Sequence, residues 1–561
     1  MSNLKKIASA SLRWSWLALL VLFAFGYLVS GLSEQARRGK RRSSADSESR
    51  PIANAVHGET RGSVEQIDED WNRSLTSLGL ERADSANWLA VCRRLSLALV
   101  GNGLSLEEIR ALEQLEEPQR ERVHLENLLG DPRFHHYWAE RWSRFLVGTD
   151  GGQFILYRRR RFRIWLAEVF AVNERYDRLV RELLTAEGLG TDKPQVNFLT
   201  ATFDSNDGSA DPIRLAARTS RVFLGLRIDC LQCHNDFLGN VNLGDADNPR
   251  EGLQTDFHQL AAFFTSAKTS GLQGVRNGEV DYSYKYLDEE QETDVEASVP
   301  FLPELLPENG EPRQRLATWV THPRNQQAAR AAVSHVWALM FGRPMGDAVD
   351  NLPLDESCHP MLNTLAEDFV SHGFNLRRLI RVIAASQAFR VDSRAEFEIT
   401  PEHEHAFAVF PLVRLRPEQV AGSIIQAARI KKTDRDSSLF LQLITLTGAN
   451  DFVTQYGDVG EDEFNSDSIT ITQRLLMMNG NLLGELVNFN PLLNTSAHVG
   501  MFARDSSHVV ETVYLCALNR YPTTVEKQHF VSRIDGTENS SEAIEDLLWV
   551  LLNSSELAWN H

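Results

Sequence analysis

Cysteine is scarce in this chain, with five residues among 561, at positions 92, 230, 233, 358 and 516. Cysteines so few and so scattered exclude a fold that is built on disulfide bonds. Cys92, Cys358 and Cys516 lie in apolar or helical surroundings, and each is predicted to be a small buried side chain. Only Cys230 and Cys233 are close enough in the sequence to act together.

The chain also lacks the common signatures of nucleotide and hydrolase chemistry. It contains no glycine-rich phosphate loop, no H-E-x-x-H zinc motif and no G-x-S-x-G nucleophile elbow. Its formal net charge at pH 7 is −18. Because contact with nucleic-acid phosphates needs a clustered basic surface, this charge argues against a nucleic-acid partner.

What the chain does contain is the segment Cys230-Leu231-Gln232-Cys233-His234. The C-x-x-C-H spacing is the attachment signature of a c-type haem, in which two thiols bond the vinyl groups and the histidine ligates the iron. It predicts one haem c, held covalently by Cys230 and Cys233, with His234 as the proximal axial ligand. Three other interpretations stay open for the two cysteines: a disulfide bond, half of a zinc site, or a thiol pair with no role.

The first 32 residues are predicted to be an N-terminal signal anchor. No charge occurs from Trp14 to Leu32, which is about the length that crosses a ~30 Å hydrocarbon layer. A cleaved signal peptide is the alternative, although no clear A-x-A site follows. By the positive-inside rule, the basic residues in 37–42 favour a topology in which most of the chain lies in the cytoplasm. Covalent haem attachment, in contrast, takes place on the outer side of the membrane. We expect the outer side, the periplasm.

Behind the anchor, residues 33–70 are predicted to be a polar tether. Helical spacing then predicts a mainly α fold with two helical domains, residues 71–270 with the C-x-x-C-H motif and residues 314–561. Ser105 to Glu108 has the pattern of a capping box that opens a helix. Residues 271–313 are predicted to be an irregular connector with one hairpin near GEVDYSYKYL.

Longer segments on both sides of the motif carry a family resemblance. In the first half they are WAERWSRFLVG, RRRRFRIWLAEVFAVNERYDRLVRELL, FLGLRIDCLQCHNDF and DFHQLAAFF. In the second half they include RQRLATWVTHPRNQQAARAAVSHVWALMFGRPM, VDNLP, QRLLMMNG, LCALNRYPT and DLLWVLLNSSELAWNH. Through them the chain resembles a pair of uncharacterised domains that are expanded in planctomycete bacteria, a cytochrome-c-like domain followed by a C-terminal companion domain. The resemblance implies export, a mostly helical fold and a single haem motif. Proteins of this family are also associated with polysaccharide breakdown, but this association does not provide a mechanism.

One departure from this family concerns the residue two places after His234. Relatives typically read C-x-Q-C-H-x-H-P-F-D, whereas this chain has Asp236 at the position of the second histidine. If that second imidazole serves haem or metal binding in relatives, this chain has lost it.

Spacing does not fix the sixth ligand of such a haem. His258 is the distal candidate, since it is the nearest later histidine and lies on a predicted helix; a helix residue at an interface is its alternative role. Candidates for a thioether ligand are Met340, Met345, Met477 and Met478. Methionines at helical spacing are more typical of a core. An open sixth position would instead permit small-ligand or peroxide chemistry, with His135 or His136 as an acid–base group.

The second half holds a further set of polar residues that could form a metal or hydrolytic site. They are His322, His335, Asp350, Asp355, Glu356 and His359. For His322-Pro323 and His359-Pro360, capping and turn roles fit the sequence better.

These observations predict a membrane-anchored, extracytoplasmic protein with one c-type haem that works in electron transfer. Its partners are expected to be the membrane, through the N-terminal helix, and an unknown redox or cell-envelope protein. Two alternatives stay open. One is an envelope scaffold without haem, in which Cys230 and Cys233 form a disulfide; the other is an enzyme that acts on polysaccharide-derived substrates through the second domain.

Overall fold

The computed structural model describes residues 58–148, 159–203, 210–244, 249–269, 274–278, 281–355, 358–431 and 495–561, together with residues 464, 473, 475 and 478. The predicted anchor, most of the predicted tether, Glu356 and Met477 lie outside these residues. Within the described ranges, no helix combines the length and the apolar character that crossing a membrane requires.

Helices make up most of the described chain, which confirms the predicted mainly α class. Those of the first half are α1 (58–78), α2 (Trp88–Val100), α3 (Leu106–Glu113), α4 (Glu117–Leu129), α5 (Pro132–Val147), α6 (Arg159–Ala171), α7 (Tyr176–Leu184), α8 (Asn197–Thr200), α9 (Pro212–Leu224) and α10 (Gln254–Ala262). Those of the second half are α11 (Pro312–Val320), α12 (Gln326–Phe341), α13 (Pro360–Ser371), α14 (Leu376–Ala385), α15 (Gln387–Arg390), α16 (Pro401–His405), α17 (Pro417–Ala427), α18 (Thr495–Phe502), α19 (Ser506–Leu518), α20 (Thr524–Asp535) and α21 (Ser540–Leu552).

Two helix starts follow from short polar patterns in the sequence. The predicted capping box is present at the start of α3, where the Ser105 side chain accepts the N–H of Glu108 and Glu108 accepts the N–H of Ser105. At the start of α13 the His359 side chain accepts the N–H of Met361 at 3.3 Å. Both arrangements satisfy backbone N–H groups that have no partner within the helix.

The described strands are short and pair in antiparallel ladders. They are β1 (Ala267–Thr269) with β2 (Val275–Asn277), β3 (Ser283–Tyr284) with β4 (Thr293–Asp294), and β5 (Val413–Arg414) with β6 (Trp559–Asn560). The register of the second ladder pairs Ser283 with Asp294 and Tyr284 with Thr293. This ladder is the hairpin that GEVDYSYKYL predicts.

One apolar core extends across both halves of the described chain. It runs from Ile67 to Phe410 and includes Val275, Val299 and Leu305 of the predicted connector. Helix α12 packs against α9 of the first half and against α2. The predicted domains 71–270 and 314–561 therefore share a hydrophobic core in the described residues.

Helix α2 joins this core to two smaller clusters. Its Leu97 packs with apolar residues of α17, α19 and α21, and its Leu89 and Cys92 pack with Leu515 of α19. Cys92 and Cys516 are buried, as predicted. Cys358 is only half-buried, because it precedes the cap of α13 instead of facing a helix core, and its thiol donates to Asn363 Oδ1 at 3.1 Å.

Helix α9 ends at Gly225, which sets the position of the C-x-x-C-H segment. Gly225 has φ 61°, and its carbonyl accepts the N–H of Leu352 at 2.7 Å. A Cβ at this residue would lie 2.9 Å from Leu352 Cδ1 and 3.4 Å from Ala331 Cβ. A residue without a side chain is needed here for both the left-handed backbone and the close approach to α12.

Candidate functional site

The C-x-x-C-H segment forms a tight turn just after α9. Residues Asp229–Gln232 are 3₁₀-helical, and the Cys233 N–H donates to the Cys230 carbonyl at 3.2 Å. Leu231 is fully buried, whereas Cys230, Cys233 and His234 are exposed and both thiols are free. The three predicted site residues therefore lie within or directly after this turn, and each of them is exposed.

The buried Leu231 anchors this turn to the protein. It packs against Gly252, where a Cβ would lie 2.7 Å from Leu231 Cδ1 and 2.9 Å from Val241 Cγ1. The close approach explains why residue 252 has no side chain. The turn is thus fixed from below by apolar packing.

Hydrogen bonding determines which nitrogen of His234 is available to a ligand. Its Nδ1 lies 2.7 Å from the Asn235 carbonyl oxygen. A carbonyl oxygen only accepts, so in the neutral ring Nδ1 carries the proton and Nε2 keeps its lone pair. Nε2 makes no hydrogen bond with any described residue. An imidazole with a bonded Nδ1–H and a bare, exposed Nε2 is the arrangement that metal-ligating histidines use.

The carbonyl of Gln232, between the two cysteines, accepts three hydrogen bonds. The donors are Gln254 Nε2 at 3.0 Å, His258 Nε2 at 3.1 Å and the Tyr284 hydroxyl at 3.3 Å. Gln254 and His258 lie four residues apart on α10, so both side chains occupy one face of that helix. We call these three donors the Gln232 clamp.

The start of α10 is itself held by a local ion pair. Asp256 accepts the N–H of Leu253 at 2.8 Å and a bond from Arg250 Nη1 at 2.9 Å. The N–H of Gln254 donates to Asn235 Oδ1 at 2.8 Å, which ties α10 to the residue that follows His234. Helix α10 thus begins directly beneath the C-x-x-C-H turn.

His258 is buried and uses both ring nitrogens. Because the Gln232 carbonyl only accepts, His258 Nε2 carries the proton, and Nδ1 accepts from the Tyr282 hydroxyl at 2.8 Å. Its ring stacks on Tyr284 with centroids 3.5 Å apart. Burial lowers the pKa of His258, so the neutral ring is favoured. As a distal haem ligand, His258 would have to give up one of these bonds.

Three tyrosines line the buried side of this arrangement, and sequence reasoning missed them. Tyr282, Tyr284 and Tyr286 alternate along the β3 segment and each lies beside the His258 ring. Burial raises the pKa of Tyr282, which keeps its hydroxyl protonated as a donor. The signal was the period-two spacing of YSYKY, which places all three rings on one face of a strand.

Asp236 closes the loop that follows the motif. It is 4% exposed and accepts the N–H of Val241 at 2.5 Å and the N–H of Leu238 at 3.2 Å, while its own N–H donates to Gly252 O at 2.9 Å. Burial and the negative charge of Asp236 together raise the pKa of the Cys230 thiol. At the position where the family resemblance implies a second histidine, this chain therefore has a buried loop-closing carboxylate.

Exposed apolar side chains surround the motif. Phe237 is 72% exposed, Leu238 83%, Leu253 41% and Leu287 65%. Phe237 stacks beside His234 with centroids 6.2 Å apart, and the N–H of Leu287 donates to Gln254 Oε1 at 3.0 Å. Exposed apolar side chains next to two free thiols and a bare imidazole fit a flat, largely apolar cofactor such as haem.

The other candidates for a haem ligand are placed elsewhere in the fold. Met340 and Met345 are buried in the main core, whereas Met478 is 47% exposed. His135 lies on α5 with its Nε2 3.1 Å from Arg377 Nη2, and His136 follows it on the same helix.

The polar residues of the second half are separately engaged. His322 Nδ1 accepts the N–H of Arg324 at 3.1 Å, a turn role like the capping role of His359. His335 is buried, donates from Nδ1 to the Ala331 carbonyl at 2.7 Å and stacks on Trp142. Asp350 accepts from Arg227 Nε at 2.7 Å.

The described residues contain no cluster of side chains that could bind a metal ion together. Among the described residues, no group of three or more histidine, cysteine, aspartate and glutamate side chains could hold a metal ion. The half-site interpretation of the two cysteines therefore gains no further protein ligand there.

Two family models match the chain, in the order that the resemblance implies. One described as PSCyt2, a protein of unknown function (DUF1549), matches residues 66–269, which include the C-x-x-C-H turn and the Gln232 clamp residues Gln254 and His258. The other, described as PSD1, a protein of unknown function (DUF1553), matches residues 312–446. No curated protein and no solved structure matches the chain.

Proposed function

We propose that this chain, which belongs to the proteins that join these two domains of unknown function, is a c-type cytochrome with one haem that transfers electrons outside the cytoplasm. The observation that carries the proposal is the bare, exposed Nε2 of His234 beside two exposed free thiols. The C-x-x-C-H spacing alone predicts that these residues form a haem site. Because all three are exposed, they could act together on one cofactor. The predicted anchor would keep the protein at the membrane.

The residues present fit a covalently held haem. Cys230 and Cys233 would hold it through two thioethers, and His234 would provide the axial nitrogen. When bound, the haem supplies one-electron redox chemistry. The protein residues fix the imidazole through its Nδ1–H bond to Asn235 and supply apolar contact through Phe237 and its neighbours.

The surface position of the motif supports electron transfer over enclosed catalysis. Cys230, Cys233 and His234 are all exposed, so a cofactor attached here would lie where a partner protein could approach it. The second half, which shares the main core with the first, would then serve as the docking body for a redox or envelope partner.

A scaffold without haem is the second candidate. The Cys233 N–H bond to the Cys230 carbonyl places both cysteines on one turn, where oxidation could join them. The enzyme acting on polysaccharide-derived substrates stays a prediction from the family resemblance alone.

The first experiment separates these candidates by covalent haem. The full chain, with its own N-terminal segment, is expressed in a host that has c-type cytochrome maturation, beside a Cys230→Ser, Cys233→Ser variant. A pyridine haemochrome spectrum and a haem-stained denaturing gel are expected to show covalent haem in the first protein only. If the folded, exported protein carries no covalent haem, electron transfer at this motif is ruled out and the scaffold becomes the leading candidate.

A further inference from the structure

We infer that the Gln232 clamp (Gln254, His258 and Tyr284) is a positioning device for Cys230, Cys233 and His234, and that His258 acts through the Gln232 backbone instead of as a distal ligand. As far as it concerns the haem-bearing protein, this inference rests on the proposed function. For the thiols of the haem-free protein it does not.

The first support is the convergence of three side chains on one carbonyl. A carbonyl oxygen has two lone pairs, yet Gln254, His258 and Tyr284 all donate to the Gln232 oxygen at 3.0–3.3 Å. Gln232 lies between the two cysteines and directly precedes Cys233. Three donors at this one atom restrict the backbone that determines where both thiols and the following imidazole project.

The second support is that the direction of the hydrogen bonds is forced. The Gln232 carbonyl requires the proton on His258 Nε2, and this leaves Nδ1 to accept from Tyr282. The chain of donors therefore runs from Tyr282 to His258 to Gln232. Tyr282 fixes the tautomer that the clamp needs, in the way that outer partners fix the tautomer of a metal-ligating histidine.

The third support is the origin of the donors. Gln254 and His258 belong to α10 and Tyr284 to β3, so two separate elements hold the turn. The contact of His258 with Tyr284, 3.5 Å between ring centroids, braces the two elements against each other. The turn is thus held by tertiary contacts and not by its own 3₁₀ bonds alone.

The chain offers a matched pair of variants that tests the clamp. Tyr284→Phe removes one donor to Gln232, whereas Tyr286→Phe removes a hydroxyl from the same strand face that makes no hydrogen bond with a described residue. His258→Gln keeps an N–H donor in place of Nε2, and His258→Leu removes it. A cooperative thermal unfolding transition in both members of the tyrosine pair would show that both proteins fold.

The haem-free readout is the binding of phenylarsine oxide, which bonds two thiols at once and releases water. Its affinity depends on how well Cys230 and Cys233 are pre-positioned. We expect about fivefold weaker binding in Tyr284→Phe, the effect of one lost hydrogen bond. A larger loss is expected in His258→Leu, near-native binding in His258→Gln, and no change in Tyr286→Phe. Unchanged affinity in both Tyr284→Phe and His258→Leu would overturn the inference.

The haem-bearing readout separates positioning from ligation. If His258 acts only through Gln232, the ferric absorption spectrum of His258→Gln keeps the spin state of the unsubstituted protein. A change to an open-site spectrum in His258→Gln would identify His258 as the distal ligand and overturn the inference. Absence of haem in the unsubstituted protein would defeat the proposed function instead, and arsenical binding would still decide the clamp.

Discussion

The two histidines nearest to the cysteine pair illustrate opposite uses of the same ring. His234 lies at the surface, donates from Nδ1 to its neighbour's carbonyl and leaves Nε2 bare. His258 lies beneath the turn, donates from Nε2 to Gln232 and has its Nδ1 occupied by Tyr282. In both cases a carbonyl acceptor decides where the proton lies. The comparison shows that the position of the acceptor determines which ring nitrogen donates and whether the other nitrogen is left without a protein partner among the described residues.

Removing the exposed ring should have the largest effect. In the haem-bearing protein, His234→Ala is expected to keep the covalent haem, because the thiols are unchanged, but to lose axial histidine ligation completely. The absorption spectra of the ferric and ferrous forms measure this loss. His258→Gln is the matched control, and an unchanged spectrum in His234→Ala would show that another residue holds the iron.

Disturbing the buried packing beneath the turn comes next. In Gly252→Val the new side chain would collide with Leu231 and Val241, whose nearest atoms lie 2.7 and 2.9 Å from the Cβ position. We expect a lower free energy of unfolding by about 1–3 kcal/mol, measured by urea denaturation. The control is Gly346→Val, since a Cβ there meets nothing within 4 Å. Equal losses in the two variants would contradict the packing role of residue 252.

A smaller effect should follow from removing the charge beside the first thiol. Asp236→Asn keeps one of the two oxygen acceptors that close the loop and removes the negative charge that helps to raise the pKa of Cys230. The pKa of Cys230 should therefore fall. In a Cys233→Ser background, the pH dependence of Cys230 alkylation should move to lower pH. A profile that does not move would mean that burial alone sets the thiol's acidity.

The smallest expected effect concerns acid stability. Because burial lowers the pKa of His258, the folded protein binds fewer protons than the unfolded chain below the ordinary value of about 6.5. His258 should thus make the protein less stable as the pH falls from about 6.5. In His258→Gln the free energy of unfolding should decline less steeply between about pH 7 and 5. Identical slopes in the unsubstituted protein and in His258→Gln would contradict the effect of burial on the pKa of His258.

Local patterns in the sequence predicted several features that the structure confirms. The capping box at Ser105 and Glu108, the turn role of His359 and the hairpin around Tyr284 all depend on residues within a few positions of each other. The C-x-x-C-H motif also predicted which residues would be close together. In each case a short-range rule of hydrogen bonding or spacing was sufficient.

The contacts beneath the motif could not be predicted in the same way. Gln232 meets Gln254, His258 and Tyr284 across 22 to 52 positions in the chain. Which nitrogen of His258 carries a proton depends on those partners. The sequence does not reveal them, so the prediction of His258 as a distal ligand could not take them into account. The shared core could not be predicted for the same reason. Apolar residues of the predicted connector, such as Val275 and Val299, find their packing partners only when the chain is folded.

The sequence order of the Gln232 clamp has a consequence for the time course of synthesis. Cys230 and Cys233 leave the ribosome, and any export channel, before Gln254, His258 and Tyr284 do. For that interval the three donors to the Gln232 carbonyl are absent, and the turn gains these contacts only when the later residues arrive. A factor that modifies the two thiols during export would therefore meet them before the Gln232 clamp has formed, whereas a factor that acts later would meet them on a fixed, exposed turn.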